Sequence, residues 1–194
     1  MDFFKILLFA SLVSAIIAYT LYIRLIAKNQ IKPHGVTYLV WSIILGLNFV
    51  IQLKSGVGIS AFFLGVNFLG CGLVFLFCLI KGHVRYDKLD WFCFALAIIA
   101  ILLWLFATTP LYSVILSCVI DFFAIFPSFR KSFKDPWEDS PIAYWIAALE
   151  YLFSIPSYQV FSIITLLYPI CIMTIEFGYA LFIWIRRLQL KQPV

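Results

Sequence analysis

Three acids stand inside long apolar stretches of this sequence: Asp121, Glu150 and Glu176. A charged side chain at the centre of a bilayer costs at least about 2.5 kcal/mol on insertion scales, so such residues face a bundle interior or a water-filled path. No Lys or Arg lies in the same stretches to pair with them, which leaves protonation or hydrogen bonding as the way each is tolerated. Helical spacing extends two of the acids into polar stripes. Ser113, Ser117, Asp121, Ala124 and Ser128 recur at three- or four-residue steps, and so do Thr165, Tyr168, Ile172, Glu176 and Tyr179, with Pro169 interrupting the second ladder. A third stripe, Thr37, Trp41, Leu45, Asn48 and Gln52, is uncharged. The chemistry these residues offer is proton exchange at Asp121 and Glu176, and binding of a polar solute by Trp41, Asn48, Asn67 and Tyr168. Glu150 shares its face with Ala143, Ala147 and Ser154, small residues that suit a close helix contact as well as a site.

Depth follows from counting inward from the basic helix ends at about 1.5 Å per residue. Asp121 precedes Arg130 by nine positions and Glu176 precedes Arg186 by ten, so both are expected near mid-membrane. Asn67 precedes Lys81 by fourteen and Asn48 follows His34 by fourteen, which predicts an amide layer nearer the outside, facing a central cavity. Other chemistries find little support. The five cysteines, Cys71, Cys78, Cys93, Cys118 and Cys171, all fall in apolar stretches with no Cys-x-x-Cys pair. His34 and His83 stand alone in polar loops, without a second ligand at metal spacing, and are expected to be solvated. There is no Gly-x-Ser-x-Gly, no His-Glu-x-x-His and no phosphate loop, so neither an enzyme, a cofactor nor a metal is expected.

The elements that position these groups are set by composition. Of 194 residues 64% are apolar and 12% charged, against about 25% charged in a soluble domain. Seven runs are each near the length needed to cross about 30 Å of hydrocarbon as a helix: 6–23, 36–53, 60–80, 91–107, 111–127, 141–155 and 159–185. Pro110 and Ser140-Pro141 open the fifth and sixth spans, and Ser154-Ile155-Pro156-Ser157 breaks the chain before the seventh. The runs show no alternation, which excludes a β-barrel. Twelve of the fourteen Lys and Arg follow spans one, three, five and seven, leaving Lys5 and Lys54 for the other side. This bias predicts an N-terminus outside, a C-terminus in the cytoplasm and a multi-pass protein of the cell (inner) membrane. The net charge of +5 is thus a topology signal and not a nucleic-acid footprint. A signal peptide would carry its positive charge before the first apolar run, where this chain carries its cluster after it.

Spacing also repeats. Tyr22 to Lys81 and Pro127 to Arg186 each span 59 positions, at an offset of 105, and each follows the order helix, basic loop, helix, neutral turn, long helix, basic end. Two parallel three-helix units (1–82 and 110–194) joined by a linker helix (83–109) are expected, with the two units superposable.

Residues in the second unit resemble a known signature. Phe126-Pro127-Ser128-Phe129-Arg130-Lys131-Ser132, followed by Ser140 and Trp145, is similar to the PQ-loop of the SWEET, SemiSWEET and cystinosin-like transporters, in which Pro-Gln ends a helix before a basic loop. Ser128 stands where that group has Gln, and the first unit carries the loop only faintly, through Arg24, Lys28, Gly35 and Trp41. Asn67 is placed similarly to the substrate-binding Asn of the SemiSWEET third helix, while its second-half equivalent is Ile172. The resemblance implies an all-α integral membrane fold of seven transmembrane helices in a 3+1+3 plan. It further implies alternating-access transport of a small polar solute such as a sugar, amino acid or vitamin. A non-transporting receptor of the same plan, comparable to the KDEL receptors, is the second expectation. The partners expected are a small-molecule solute and the lipid bilayer, with no nucleic acid; a homo-oligomer is compatible with the sequence but not specified by it.

Overall fold

The computed structural model describes residues 3–82 and 109–190, with isolated positions between 83 and 108. Among the described residues all regular structure is helical. Six α-helices are defined: α1 (Phe3–Ala27), α2 (Gly35–Lys54), α3 (Phe62–Ile80), α4 (Pro110–Lys134), α5 (Pro141–Ser154) and α6 (Ile163–Gln189). Five are long and apolar enough to cross a membrane, α3 together with the 3-10 turn Gly58–Ala61 that precedes it. Seven helices were expected. The fourth span, 91–107, and with it Cys93 and the nearby His83, lies largely outside the described residues, so six stand defined.

Local chemistry accounts for most boundaries. Pro110 and Pro141 occupy first helical positions, and the Ser140 hydroxyl accepts from the Ala143 amide. Ser162 and Thr165 form a reciprocal capping box at the start of α6. The 14 residues of α5 rise only about 21 Å, short of the hydrocarbon thickness, because Pro156 ends the helix in a 3-10 turn, Ile155–Ser157.

Two boundaries correct the sequence reading. Pro127 does not end its span, since α4 continues through it to Lys134. Nor does Pro169 break α6. At Pro169 a neighbouring helix takes over the carbonyl that the proline leaves free, a usual way for a proline to survive inside a membrane bundle. Gln52 Nε2 donates to the Thr165 carbonyl, the group one turn before Pro169 (3.3 Å), and Thr37 Oγ1 donates to the Ala124 carbonyl beside Pro127 (2.6 Å).

The helices pack in a closed ring, in the order α1, α3, α2, α4, α6, α5 and back to α1. In each half the third helix lies between the first and second, and the ring is unchanged when α1, α2 and α3 are exchanged for α4, α5 and α6. Equivalent residues make equivalent bonds. Lys81 Nζ donates to the Ala27 carbonyl at the end of α1 (2.9 Å), and Arg186 Nε to the Phe133 carbonyl near the end of α4 (3.0 Å). Where the halves meet, Lys32 N donates to the Glu138 carbonyl (2.9 Å), while Glu138 also pairs with the Lys32 and Lys131 ammonium groups. The C-terminal ends of α1, α3, α4 and α6 therefore share one end of the bundle, here called the basic end. At the opposite end the two 3-10 turns meet through Ser60 and Ser157, whose hydroxyls lie 3.1 Å apart.

Candidate functional site

A cavity with about 30 Å³ of room for water-sized spheres lies at the centre of the ring, lined from α1, α2, α3, α5 and α6. Its wall is aromatic and acidic: Tyr19, Tyr22, Tyr38, Trp41 and Tyr144 surround Glu150 and Glu176, with alanines and Cys71 between them. Part of the lining follows the exchange of halves, although α4, the counterpart of α1, contributes no residue to it. Tyr38 and Tyr144, Trp41 and Ala147, and Cys71 and Glu176 are each 105 or 106 positions apart, and the Tyr38 and Tyr144 hydroxyls hydrogen-bond to one another at 2.7 Å. A hydrogen bond between two equivalent residues puts the axis of the exchange through the cavity.

Both glutamates are buried, and each keeps an Oε2 atom without a hydrogen-bond partner. Glu150 interacts with the Asn67 amide, and its carboxyl is close enough to that of Glu176 for the two to repel when ionised. Asn67 is held by its own contacts: Nδ2 donates to the Phe63 carbonyl (3.1 Å), and Oδ1 accepts from the Tyr19 hydroxyl (2.9 Å). The Trp41 indole N–H is likewise buried and without an acceptor.

On the basic-end side the cavity is floored by a tyrosine network tied to Asp139, in the short connection between α4 and α5. Tyr22 and Tyr179 donate to the two Asp139 carboxylate oxygens (2.6 and 2.9 Å), the Ser140 amide donates to the first (2.8 Å), and Arg187 holds the Asp139 backbone carbonyl (2.6 Å). The Tyr144 hydroxyl lies 3.3 Å from that of Tyr22 and joins Tyr38 to the network. Burial raises the Asp139 carboxyl above the ordinary carboxylate range, opposed by Lys131 and by the hydrogen bonds from Tyr22, Ser140 and Tyr179. Rings reinforce the floor, with Tyr144 edge-on to Tyr179 at 4.6 Å and Tyr38 edge-on to Trp41 at 5.4 Å.

The residues singled out from sequence are placed as follows. Trp41 and Glu176 line the cavity. Asn67 stands behind Tyr19, outside the lining. Asn48 is turned to α4, where Nδ2 donates to Ser117 Oγ (2.9 Å) as well as to the Ile44 carbonyl (3.0 Å). Asp121 is fully buried off the cavity; it and the Tyr168 hydroxyl face one another without a well-formed hydrogen bond, and neither has another partner. Ser128, beside Pro127, lies 3.2 Å from the Thr37 hydroxyl. The stripes of α2 and α4 thus meet along a seam, Asn48 with Ser117 and Thr37 with Ser128, and only the Trp41 step of the α2 stripe reaches the cavity. His34 is buried and bonded through Nδ1 to Thr37 (3.1 Å), not solvated as expected.

Sequence reasoning missed Asp139 and the tyrosines that meet it. Asp139 lies in a polar loop where an acid is ordinary, and its only sequence signal was adjacency to the Ser140-Pro141 helix start. Tyr38 and Tyr144 carried a better one, the same residue type at the repeat offset. Among the described residues no cluster of His, Cys, Asp or Glu has the makings of a metal site. In comparisons with protein-family models, curated proteins and solved structures, nothing matches this chain.

Proposed function

We propose that this protein is a multi-pass membrane transporter that moves a small polar solute by alternating access through the cavity between its halves. The observation that carries the reading is the acid-bearing cavity on the axis exchanging two equivalent three-helix units. Two units that pack alike can rock about such a site, opening it to one side and then the other. The 3+1+3 plan of seven transmembrane helices, with segment 83–109 as the linker, and the SWEET-like resemblance belong to this proposal. The shared basic end of four helices, with Arg24, Lys81, Lys131 and Arg186 among its cations, supports placing that end in the cytoplasm and the N-terminus outside the inner membrane. The Asp139 network is then the cytoplasmic closure, and Ser60 with Ser157 belongs to the outer one. Among the described residues the lining holds two glutamates and no nucleophile paired to a base, which favours binding over covalent chemistry.

Proton coupling is part of the same proposal. Asp121 and Glu176 are buried acids with unpartnered oxygens, and opening to water on one side favours their charged form while closure favours the neutral one. The test is counterflow in proteoliposomes across a panel of labelled sugars, amino acids and amines, with and without a pH gradient. Saturable flux of at least one solute is expected. Binding without flux for the whole panel would replace the transporter by a receptor of the same plan.

A further inference from the structure

Resting on the transporter reading of the same cavity, we infer that its solute is a small primary-amine cation, held between Glu150 and Glu176 against the aromatic wall. Charge is the first argument. Among the described residues the glutamates are the only acids in the lining, and no Lys, Arg or His accompanies them, so those residues give an ionised cavity no cation of its own. The second is hydrogen bonding. Oε2 of Glu150 and Oε2 of Glu176 are buried acceptors without donors, on side chains at least nine-tenths buried. An ionised carboxylate only accepts, and an ammonium group only donates, up to three times. When both acids are ionised, a neutral sugar hydroxyl would leave two like charges facing one another, whereas an ammonium between them screens that repulsion and donates to both oxygens.

The wall and the size point the same way. Tyr19, Tyr22, Tyr38, Trp41 and Tyr144 give the cavity five aromatic rings, the surface that attracts a cation through ring quadrupoles. The free space, about 30 Å³, holds one or two waters and so matches an ammonium head rather than a sugar ring. Trp41 refines the choice. Its buried indole N–H lacks an acceptor, so an amine carrying a nearby oxygen, such as ethanolamine, satisfies a group that methylammonium leaves bare.

Thermal shift on the detergent-purified protein with methylammonium, ethanolamine and glucose, at pH 6 where both amines are cationic, tests the site. It is paired with proteoliposome uptake of the same three probes. Saturable stabilisation by both amines is expected, tighter for ethanolamine, with no response to glucose. Glu150→Gln and Glu176→Gln should each weaken amine binding at least tenfold. Trp41→Phe, which keeps the ring and leaves both acids in place, should erase the preference for ethanolamine over methylammonium and keeps the test open if a glutamine variant fails to fold. Stabilisation or uptake of glucose with none of either amine overturns the cation site and leaves the transporter reading standing. Amine binding with no flux of any probe does the reverse. Amine affinity unchanged in both glutamine variants also overturns the site.

Discussion

Four carboxyl groups are buried among the described residues of this bundle, and they live in two different worlds. Asp139, at the basic end, is saturated: two tyrosine hydroxyls and a backbone amide converge on its oxygens, and Lys131 pulls on it from the same end. Asp121, Glu150 and Glu176, at the middle of the bundle, each keep at least one oxygen with no donor. A buried polar group that is fully bonded ties elements together, and one left unbonded is a standing cost that persists only where something else uses it. On the proposed reading it is saturation, not burial, that separates structural acids from functional ones.

The largest effect should come from cutting the saturated acid. Asp139→Ala removes the acceptor of the Ser140 amide, the shorter of the two bonds of the Tyr22 hydroxyl and one of the acceptors of Tyr179, at about 1–3 kcal/mol for each group left unsatisfied, and thermal unfolding in detergent should register a loss of about 2–4 kcal/mol. A loss below about 1 kcal/mol would place the closure elsewhere. The same carboxyl should make stability depend on pH with a definite sign. Its folded value is raised, so the protonated form is favoured in the native state; its contribution is full below the ordinary value of about 3.9 and is lost as pH rises through the folded value. Unfolding temperatures should fall with rising pH across that window in the wild type, and Asp139→Asn should flatten this dependence. An equal slope in both proteins would assign it to other groups.

Next in size is Gly70→Ala, which probes the support behind the unsaturated acids. A Cβ at Gly70 would lie 2.4 Å from the Tyr19 ring, so the ring must move away from Asn67. Overpacking of this kind costs about 1–3 kcal/mol. Since Tyr19 also walls the cavity, solute affinity should fall together with stability; affinity unchanged in a destabilised variant would separate the wall from the site. Tyr38→Phe removes one hydrogen bond on the axis, to Tyr144, and should cost about 0.5–1.5 kcal/mol by chemical denaturation.

The smallest effect on stability, and the sharpest on transport, is expected at an unsaturated acid. Asp121→Asn has no strong bond to lose, so its unfolding free energy should stay within about 0.5 kcal/mol of the wild type while pH-driven flux disappears. Retained pH dependence in that variant would refute Asp121 as the proton carrier. Collapse of the fold would instead move Asp121 into the company of Asp139.

Much of this molecule was legible in the chain because membrane helices obey one-dimensional rules. Apolar length marked α1, α2, α3, α4 and α6 to within a few residues at most of their ends, and proline with serine marked the start of α5. The repeat offset, read from basic ends alone, reappears in the paired bonds of Lys81 and Arg186. The low cost of Pro169 inside α6 was not legible, because it depends on Gln52 arriving from another helix to take the Thr165 carbonyl that the proline leaves free. Nor was the use of each polar stripe. Helical spacing says that Thr37, Trp41 and Asn48 share a side of α2, but the rotation of α2 against α4 directs Asn48 and Thr37 into a seam and only Trp41 into the cavity. Composition and periodicity thus determined where the strongly apolar described helices run and which of their faces are polar, since both follow from local transfer free energy. Which acids meet, which are saturated and where the cavity lies were decided by tertiary packing alone, because those facts depend on residues about a hundred positions apart reaching hydrogen-bond distance.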